Sequence, residues 1–510
     1  MIKISPMFSD HMVLQELKDI SVFGTGDTEG EKVTVKLSGT GSYCGHISNY
    51  DETAYARVRN GKWLVKLPPA SAGEDFEMTV TAGGFSKTFT DIAVGEVWFA
   101  GGQSNMEYEL QNCTTGKEHL ENDAGVNVRF YYTQKIVCGE PDYEKVVADN
   151  CWKTFDSESA KIWSAVGYLF AKRLSEKLGC TVGVIGCNWG GTKASYWMSA
   201  ESLESDKDLR FDYDKYLAAM EGKTVEQMTR EFREYQAYHD EWNRRNAEYY
   251  TNTPDPTWDG CLKYCGECRY PGPPLPLNPF SATTLYKSMI KVVCPYTLAG
   301  FLWYQGESDD DNPQNYYKLL RGLIDLWRTD WDDISLPFLI VQLPMHLYKG
   351  DTDRKNWCLI REAQEKVFRT VRNTGLAVAI DCGEFNEIHP HDKEVVAERL
   401  FRQAKQIVYG DPSAANCAPM VTGIRREGSR LKVFTEQRSV LELRGEKSGF
   451  EIAGADEVYY PADFELQGAV ITVWSPSVPE PEHVRYLWTN YTDKIPVYSA
   501  EGLPLAPFRK

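Results

Sequence analysis

Four short blocks of the sequence carry the residue types that hydrolysis through a serine nucleophile needs. In Gly101-Gly-Gln-Ser-Asn-Met106, two glycines permit a tight turn that presents Ser104. A serine there can cap the following helix, or it can be a nucleophile whose amide also faces the substrate; the local sequence leaves these uses even. In Asn188-Trp-Gly-Gly-Thr192, Gly190 and Gly191 let a backbone N–H approach a ligand closely, as an oxyanion donor must, though such a pair also suits a plain turn. In Gln305-Gly-Glu-Ser308, Gln305 can offer a side-chain N–H to the same oxyanion or satisfy its own loop. In Cys382-Gly-Glu-Phe-Asn-Glu-Ile-His-Pro390, His389 lies among acids in a loop stiffened by proline. A histidine that shares strand ends with a serine, two glycine-rich turns and a glutamine reads better as a general base than as a structural group. The order Ser…His matches one of the chain orders of convergent serine hydrolases. His391 is the rival base, and a His-x-His metal pair is a further rival that no nearby Cys/His set supports.

These blocks follow short β-rich runs, at Val97–Ala100, Val182–Cys187, Ala299–Tyr304 and Gly375–Asp381. Val128–Thr133 and Pro337–Leu343 are further strands. Helical segments alternate with them, the clearest being Ser164–Leu178, with Ser164 as N-cap and Gly179 just past the C-terminus. Such βα alternation predicts a parallel sheet covered on both faces, with sites at the carboxyl ends of its strands.

Residues 1–92 read as all-β, from the alternation of Val33, Val35 and Leu37 and of Trp63, Val65 and Leu67, with turns at Asn60-Gly61 and Gly83-Gly84. Residues 201–280 interrupt the βα pattern and predict a helical insertion. One long helix starts at Thr224, which forms a capping box with Gln227, and a stiff Pro271-Gly-Pro-Pro-Leu-Pro276 loop returns to the sheet. Met228, Phe232, Tyr235, Tyr238 and Trp242 run along one side of that helix, which predicts core packing. After about 411 the chain is β-rich again, at Leu431–Phe434, Val440–Leu443, Val470–Val473 and Val484–Trp488. The division is therefore an N-terminal sandwich-like β domain (1–92), an α/β domain (93–410) carrying the insertion, and a C-terminal β-rich domain (411–510).

The length of 510 residues suits more than one compact unit, and the net charge of −17 disfavours nucleic acid and anionic membranes as partners. No stretch of eighteen apolar residues occurs. No signal peptide is visible at the start, which predicts a cytoplasmic protein, or a secreted one where a leader has been removed. The 13 cysteines fit reduced thiols better than a disulfide framework. Cys261, Cys265 and Cys268 approach zinc-ligand spacing without a fourth ligand close by, so free thiols are the expectation.

Taken in order, Gly102-Gln-Ser-Asn-Met106, Trp189-Gly-Gly-Thr192, Trp303-Tyr-Gln-Gly-Glu-Ser308 and Ile388-His-Pro390 resemble the blocks of the sialate O-acetylesterase family of the SGNH-hydrolase superfamily. Met12-Val-Leu-Gln15, Asn60-Gly-Lys-Trp63, Thr284-Leu-Tyr-Lys-Ser-Met-Ile290, Arg485-Tyr-Leu-Trp-Thr-Asn490 and Glu501-Gly-Leu-Pro-Leu-Ala-Pro-Phe-Arg509 extend the likeness over nearly the whole chain. The resemblance implies an SGNH-type α/β/α catalytic domain between β-rich domains. It implies a serine esterase with Ser104 as nucleophile, His389 as base, and oxyanion donors from the Ser104 amide, a glycine of Gly190-Gly191 and Gln305. It implies no metal and no cofactor. The superfamily often has Asp three residues before the histidine, where this chain has Asn386; Glu387 is the candidate to orient His389, with Glu384, Asp381 or a backbone carbonyl as alternatives. The implied substrate is 9-O-acetylated sialic acid, with acetylated xylan or xyloglucan oligosaccharides as the alternative. An inactive carbohydrate-binding protein is the alternative of another class. No substrate-carboxylate partner stands out among Arg129, Arg354 and Arg361.

Overall fold

One strand organises the architecture. The computed structural model describes residues 1–254, 256–413, 416–436 and 440–510. In it β1 (Phe85–Gly102) is eighteen residues long and serves two kinds of sheet. Its first half pairs antiparallel with Gly73–Ala82. Ala93–Gly95 then pairs parallel with Val13–Gln15. From Glu96 onward it is a strand of the parallel sheet, between β3 (Val182–Asn188) and β4 (Gly300–Tyr304). The expected boundary at 92 thus falls inside a continuous strand. Residues 93–99 contain no turn signal that would break it; Gly95 sits in the strand because a Cβ there would lie 2.1 Å from the Thr181 carbonyl oxygen.

With β2 (Val128–Tyr132), β5 (Phe338–Gln342) and β6 (Thr374–Val378), the parallel strands run in the order β2-β3-β1-β4-β5-β6, and Lys153–Thr154 adds an antiparallel edge. The whole is a mixed sheet. Every residue of β3, β4, β5 and β6 is buried, as in strands covered on both faces. Helix α2 (Ala165–Leu178) packs with α7 (Glu394–Ile407), and α5 (Tyr316–Asp330) packs with α6 (Asn356–Thr370). Ser164 caps α2 by accepting from the Gly167 N–H at 3.0 Å, and Gly179 ends it in the left-handed conformation, φ 70°. After β1 the chain adds β2 and β3 on one side of it and then β4, β5 and β6 on the other, so the crevice at its carboxyl end is a topological switch point.

Before β1, Lys32–Tyr43 and Lys62–Leu67 alternate as expected, with Val33, Val35, Leu37, Trp63, Val65 and Leu67 buried. Between β3 and β4 the chain forms α3 (Val225–Asn252) and α4 (Trp258–Cys265), which pack on each other. The Thr224–Gln227 capping box is present. Of the aromatic stripe on α3, Phe232 and Trp242 are buried and the others are partly exposed. Trp242 joins Cys261 and Cys265 in a small separate core, where the two thiols lie 3.7 Å apart. All thirteen cysteines are free thiols.

The C-terminal region is built from antiparallel sheets, including Val421–Glu427, Arg430–Thr435, Val470–Trp474 and Asp463–Gln467. One buried cation docks it to the α/β sheet. Arg361, on α6, gives its guanidinium to the carbonyls of Leu343 (3.0 Å), Pro344 (3.0 Å), Thr489 (2.8 Å) and Asn490 (2.9 Å). Arg361 has no carboxylate partner among the described residues, and burial pushes its pKa down. Removing the guanidinium would strip the Leu343, Pro344 and Thr489 carbonyls of this partner, while the Asn490 carbonyl would keep only the His346 N–H. Arg361→Met is expected to destabilise the protein by about 3 kcal/mol or more. Chemical denaturation checks this, and a change below about 1 kcal/mol would show that the docking does not depend on Arg361.

Candidate functional site

At the carboxyl end of β1 the backbone turns sharply. Gly102 has φ 139°, and a Cβ on it would lie 2.1 Å from the Tyr304 carbonyl oxygen, so only glycine fits. Gln103 takes the N-cap position of the short helix α1 (Ser104–Glu107) with extended φ/ψ. Ser104 is therefore the first helical residue, not the cap. Its side chain is partly exposed, and its hydroxyl makes no hydrogen bond among the described residues. Its N–H lies in the first turn, where no intrahelical carbonyl reaches it.

The Trp189–Thr192 turn lies against this serine. A Cβ on Gly190 would come within 3.3 Å of the Ser104 Cβ. The Gly190 N–H, however, donates to the Glu107 carboxylate at 2.5 Å, and Glu107 is also paired with Lys135. Gly191 has φ 73° and an N–H that makes no hydrogen bond among the described residues. Gln305 is fully buried, and its amide nitrogen donates to the Asp309 carboxylate (2.6 Å), the Thr192 carbonyl (3.0 Å) and Gln103 Oε1 (3.2 Å). Its oxygen accepts from the Tyr316 hydroxyl at 2.9 Å. The Gly190 N–H and the Gln305 amide, both expected as oxyanion donors, donate to protein acceptors in this structure. Gln305 instead ties the β4 loop to the Ser104 turn and to the glycine turn. Burial raises the pKa of Asp309, its strongest partner, to about 7.

His389 stands on the loop after β6, its side chain 38% exposed. Its Nδ1 lies 3.6 Å from the Glu387 carboxylate, which also accepts the His389 backbone N–H at 2.7 Å. The other orienting groups are committed elsewhere. Asp381 pairs with Arg399, at 2.8 Å for Arg399 Nη2. Glu384 holds His391, with 3.1 Å to Nδ1. Asn386 accepts the Lys349 N–H at 3.0 Å. Buried His346 contacts the Glu387 carbonyl oxygen through Nδ1 at 3.2 Å and packs edge-on against Tyr348, ring centroids 4.5 Å apart. Desolvation lowers the pKa of His389 more than the Glu387 charge raises it.

The sequence reading missed the group that joins these loops. Asn105 is fully buried beside Ser104. Its Nδ2 donates to the Glu307 carboxylate at 2.7 Å and to the Ile388 carbonyl at 3.0 Å. Its Oδ1 accepts from the Lys393 ammonium at 2.6 Å. Lys393 also lies 4.6 Å from the Tyr108 ring centroid, and that ring stands 6.5 Å from the His389 ring. Burial lowers the Lys393 pKa to about 8 and raises that of Glu307. The available signal was that Asn105, Glu307 and Lys393 are polar residues inside, or next to, the chemistry-bearing blocks.

The chain resembles known carbohydrate esterases. The family model described as carbohydrate esterase, sialic acid-specific acetylesterase matches residues 276–400. Mouse (Mus musculus) sialate O-acetylesterase is 25% identical over 545 residues, covering 99% of this chain and 94% of the relative. The human (Homo sapiens) protein of the same name is 26% identical over 550 residues, covering 99% and 92%. The chain is similar to the sialate O-acetylesterases over its whole length. A carbohydrate acetylesterase from Xanthomonas citri has a solved structure 26% identical to this chain, with TM-score 0.76 over 100% of this chain and 99% of that one. The likeness supports an esterase. The matched segment contains Gln305, Glu307 and His389, while Ser104 and the glycine turn lie outside it.

Two of the three candidate arginines are occupied. Arg361 is the buried staple described above, and Arg129 pairs with Glu74 at 2.9 Å and Asp91 at 3.1 Å. Arg354 is exposed, has no ion pair among the described residues, and lies close enough to Asp310 to act on its charge. It stands on the loop after β5, at the same end of the sheet as Ser104.

A base must be neutral to accept a proton, and His389 is held below its usual value of ~6.5. The acid limb of kcat/KM should therefore have its midpoint below that value. Glu387→Gln removes a charge that favours the imidazolium, so the limb should move lower still. His389→Ala should abolish the limb and His391→Ala should keep it. A limb above ~6.5, or one that disappears only in His391→Ala, would overturn the assignment.

Proposed function

We propose that the protein is a serine esterase that removes O-acetyl groups from carbohydrates. Ser104 is the nucleophile and His389 the general base, within an SGNH-type α/β/α domain spanning 93–410. That domain carries a helical insertion at 201–280 and is flanked by β-rich domains at 1–92 and 411–510. The observation that carries the reading is the Asn105 bridge. It fixes the backbone beside Ser104 to the carbonyl of Ile388, next to His389, at 3.0 Å. With Nδ1 turned toward Glu387, Nε2 is the nitrogen left to serve Ser104.

Ser104 Oγ attacks the acetyl carbonyl carbon while His389 takes the hydroxyl proton. The Ser104 and Gly191 amides are the donors available to the resulting oxyanion, with Gly190 and Gln305 holding the turns in place. Collapse expels the sugar oxygen, which receives the proton from His389, and leaves acetyl-Ser104. Water, deprotonated by His389, attacks that ester and releases acetate and free Ser104. No step calls for a metal or cofactor.

The substrate we assign is 9-O-acetylated sialic acid. Support comes from the names of the relatives and from Arg354, an exposed cation at the site's end of the sheet that can meet a sugar carboxylate. Ser104→Ala is expected to lower kcat by ~10³-fold or more with the fold intact by circular dichroism. Activity within tenfold of wild type would remove Ser104 from the mechanism, and a wild-type protein that binds acetylated sugar without cleaving it would favour a binding protein.

Arg354→Gln separates acidic from neutral substrates. It should lower kcat/KM on 9-O-acetylated sialic acid by ~10-fold or more relative to acetylated xylo-oligosaccharides. Equal effects on both, or better cleavage of the xylo-oligosaccharides by wild type, would move the assignment to the neutral polysaccharides.

A further inference from the structure

The segment between α4 and β4 returns to the sheet past the glycine turn, and it places Tyr270 there. The Tyr270 hydroxyl donates to the Gly191 carbonyl at 2.9 Å. The approach is close enough that a Cβ on Gly191 would lie 2.0 Å from that hydroxyl oxygen. Gly191 is thus fixed as glycine by both its φ and this contact. The ring is braced on several sides. Phe280 meets it edge-on at 4.9 Å between centroids, and His239 of α3 lies 6.1 Å away, itself stacked on Tyr235 at 5.5 Å. The buried Asn278 side chain donates to the carbonyls of Pro271 and Pro273, both at 2.9 Å, which stiffens the loop carrying the ring.

Despite these supports, Tyr270 remains 43% exposed. A tyrosine needed only to hold the Gly191 carbonyl would gain stability by burying its ring. This ring is held rigid with its hydroxyl end turned to the catalytic turn and part of its surface open to solvent. An aromatic face carries a negative quadrupole, and the axial C–H groups of a pyranose offer the matching positive edge. A platform ordered before binding also pays little entropy when a ligand docks.

Building on the proposed esterase reading, we propose that Tyr270 is a substrate-specificity residue whose exposed ring stacks on the pyranose of the acetylated sugar and holds its acetyl group toward Ser104. The neighbouring Gly190, against the Ser104 Cβ, sets the direction. The ring belongs to the helical segment and the nucleophile to the sheet, so the two parts of the chain meet across the substrate.

The test compares two pyranose esters, 9-O-acetylated sialic acid and glucose pentaacetate, with triacetin, an acetyl ester that has no ring. Tyr270→Ala should lower the ratio of pyranose kcat/KM to triacetin kcat/KM by ~10-fold or more, chiefly through KM. Tyr270→Phe keeps the ring and should keep that ratio within about threefold. An equal loss on all three esters in Tyr270→Ala would show that Tyr270 acts only by supporting the Gly191 turn. A Tyr270→Phe variant that loses as much selectivity as Tyr270→Ala would assign the effect to the hydroxyl. Either result overturns the platform. Should Tyr270→Ala not fold, Tyr270→Leu fills the place without a π face and decides by the same ratio. Ser104→Ala, run alongside, should reduce all three esters together, so failure of the nucleophile assignment is distinguishable from failure of the platform.

Discussion

A buried side-chain amide placed between opposite charges is the constraint on which the site rests. Asn105 offers its N–H groups to the Glu307 carboxylate and the Ile388 carbonyl, and its oxygen to the Lys393 ammonium. Asparagine has the required polarity at both ends. Aspartate would set a second negative charge against Glu307, and an apolar residue would leave a buried ammonium and a buried carboxylate without their hydrogen bonds. The two ions are displaced in the directions that burial dictates, Lys393 down to about 8 and Glu307 up. Each is thereby brought closer to neutrality. Because the amide adjoins Ser104 and its contacts are Ile388, Lys393 and Glu307, this bridge ties three separate loops together.

A second buried amide, Gln305 on the loop after β4, also ties separate segments together. Gln305 binds Asp309, Thr192 and Gln103 at once, and so joins the β4 loop, the glycine turn and the N-cap of α1. With Asn105 it forms a floor whose members are nearly all buried: Gln103, Asn105, Gln305, Glu307, Asp309 and Lys393. Ser104 and His389 stand above that floor, each partly exposed. The arrangement follows from the parallel sheet. Carboxyl strand ends converge at the switch point beside β1, and the polar groups of their loops must find one another there or remain unpaired.

Much of the scaffold was legible in the sequence because it is written in local periodicity. The parallel strands are short apolar runs, the Ser164 cap and Gly179 stop bracket α2, and the Thr224–Gln227 box marks the start of α3. The site blocks were legible as well, since each follows a strand. Pairings over long separations were not. Nothing local shows that the Gly190 N–H is taken by Glu107, 83 residues away, or that Gln305 is spent on Gln103, 202 residues away. The pKa of His389 is illegible for the same reason: neighbouring acids are visible in sequence, whereas the desolvation that outweighs them is a property of the packed loop. The boundary at 92 rested on a change of pattern, and β1 shows that one strand can carry both patterns without a break.

The contrast between floor and rim bears on how such a site can change its substrate. Floor residues hydrogen-bond one another, with Glu307 Oε2 left without a partner among the described residues, so altering most of them leaves a buried group unpaired and costs stability along with activity. Rim residues carry no such debt. Arg354 has no ion pair among the described residues, and the Tyr270 ring is partly open to solvent even though its hydroxyl is anchored. The two stand on different segments, Arg354 on the loop after β5 and Tyr270 on the chain between α4 and β4. The two positions can therefore vary separately. The Ser104 turn and the His389 loop stay tied to each other because neither rim residue is bonded to the buried amides beneath them.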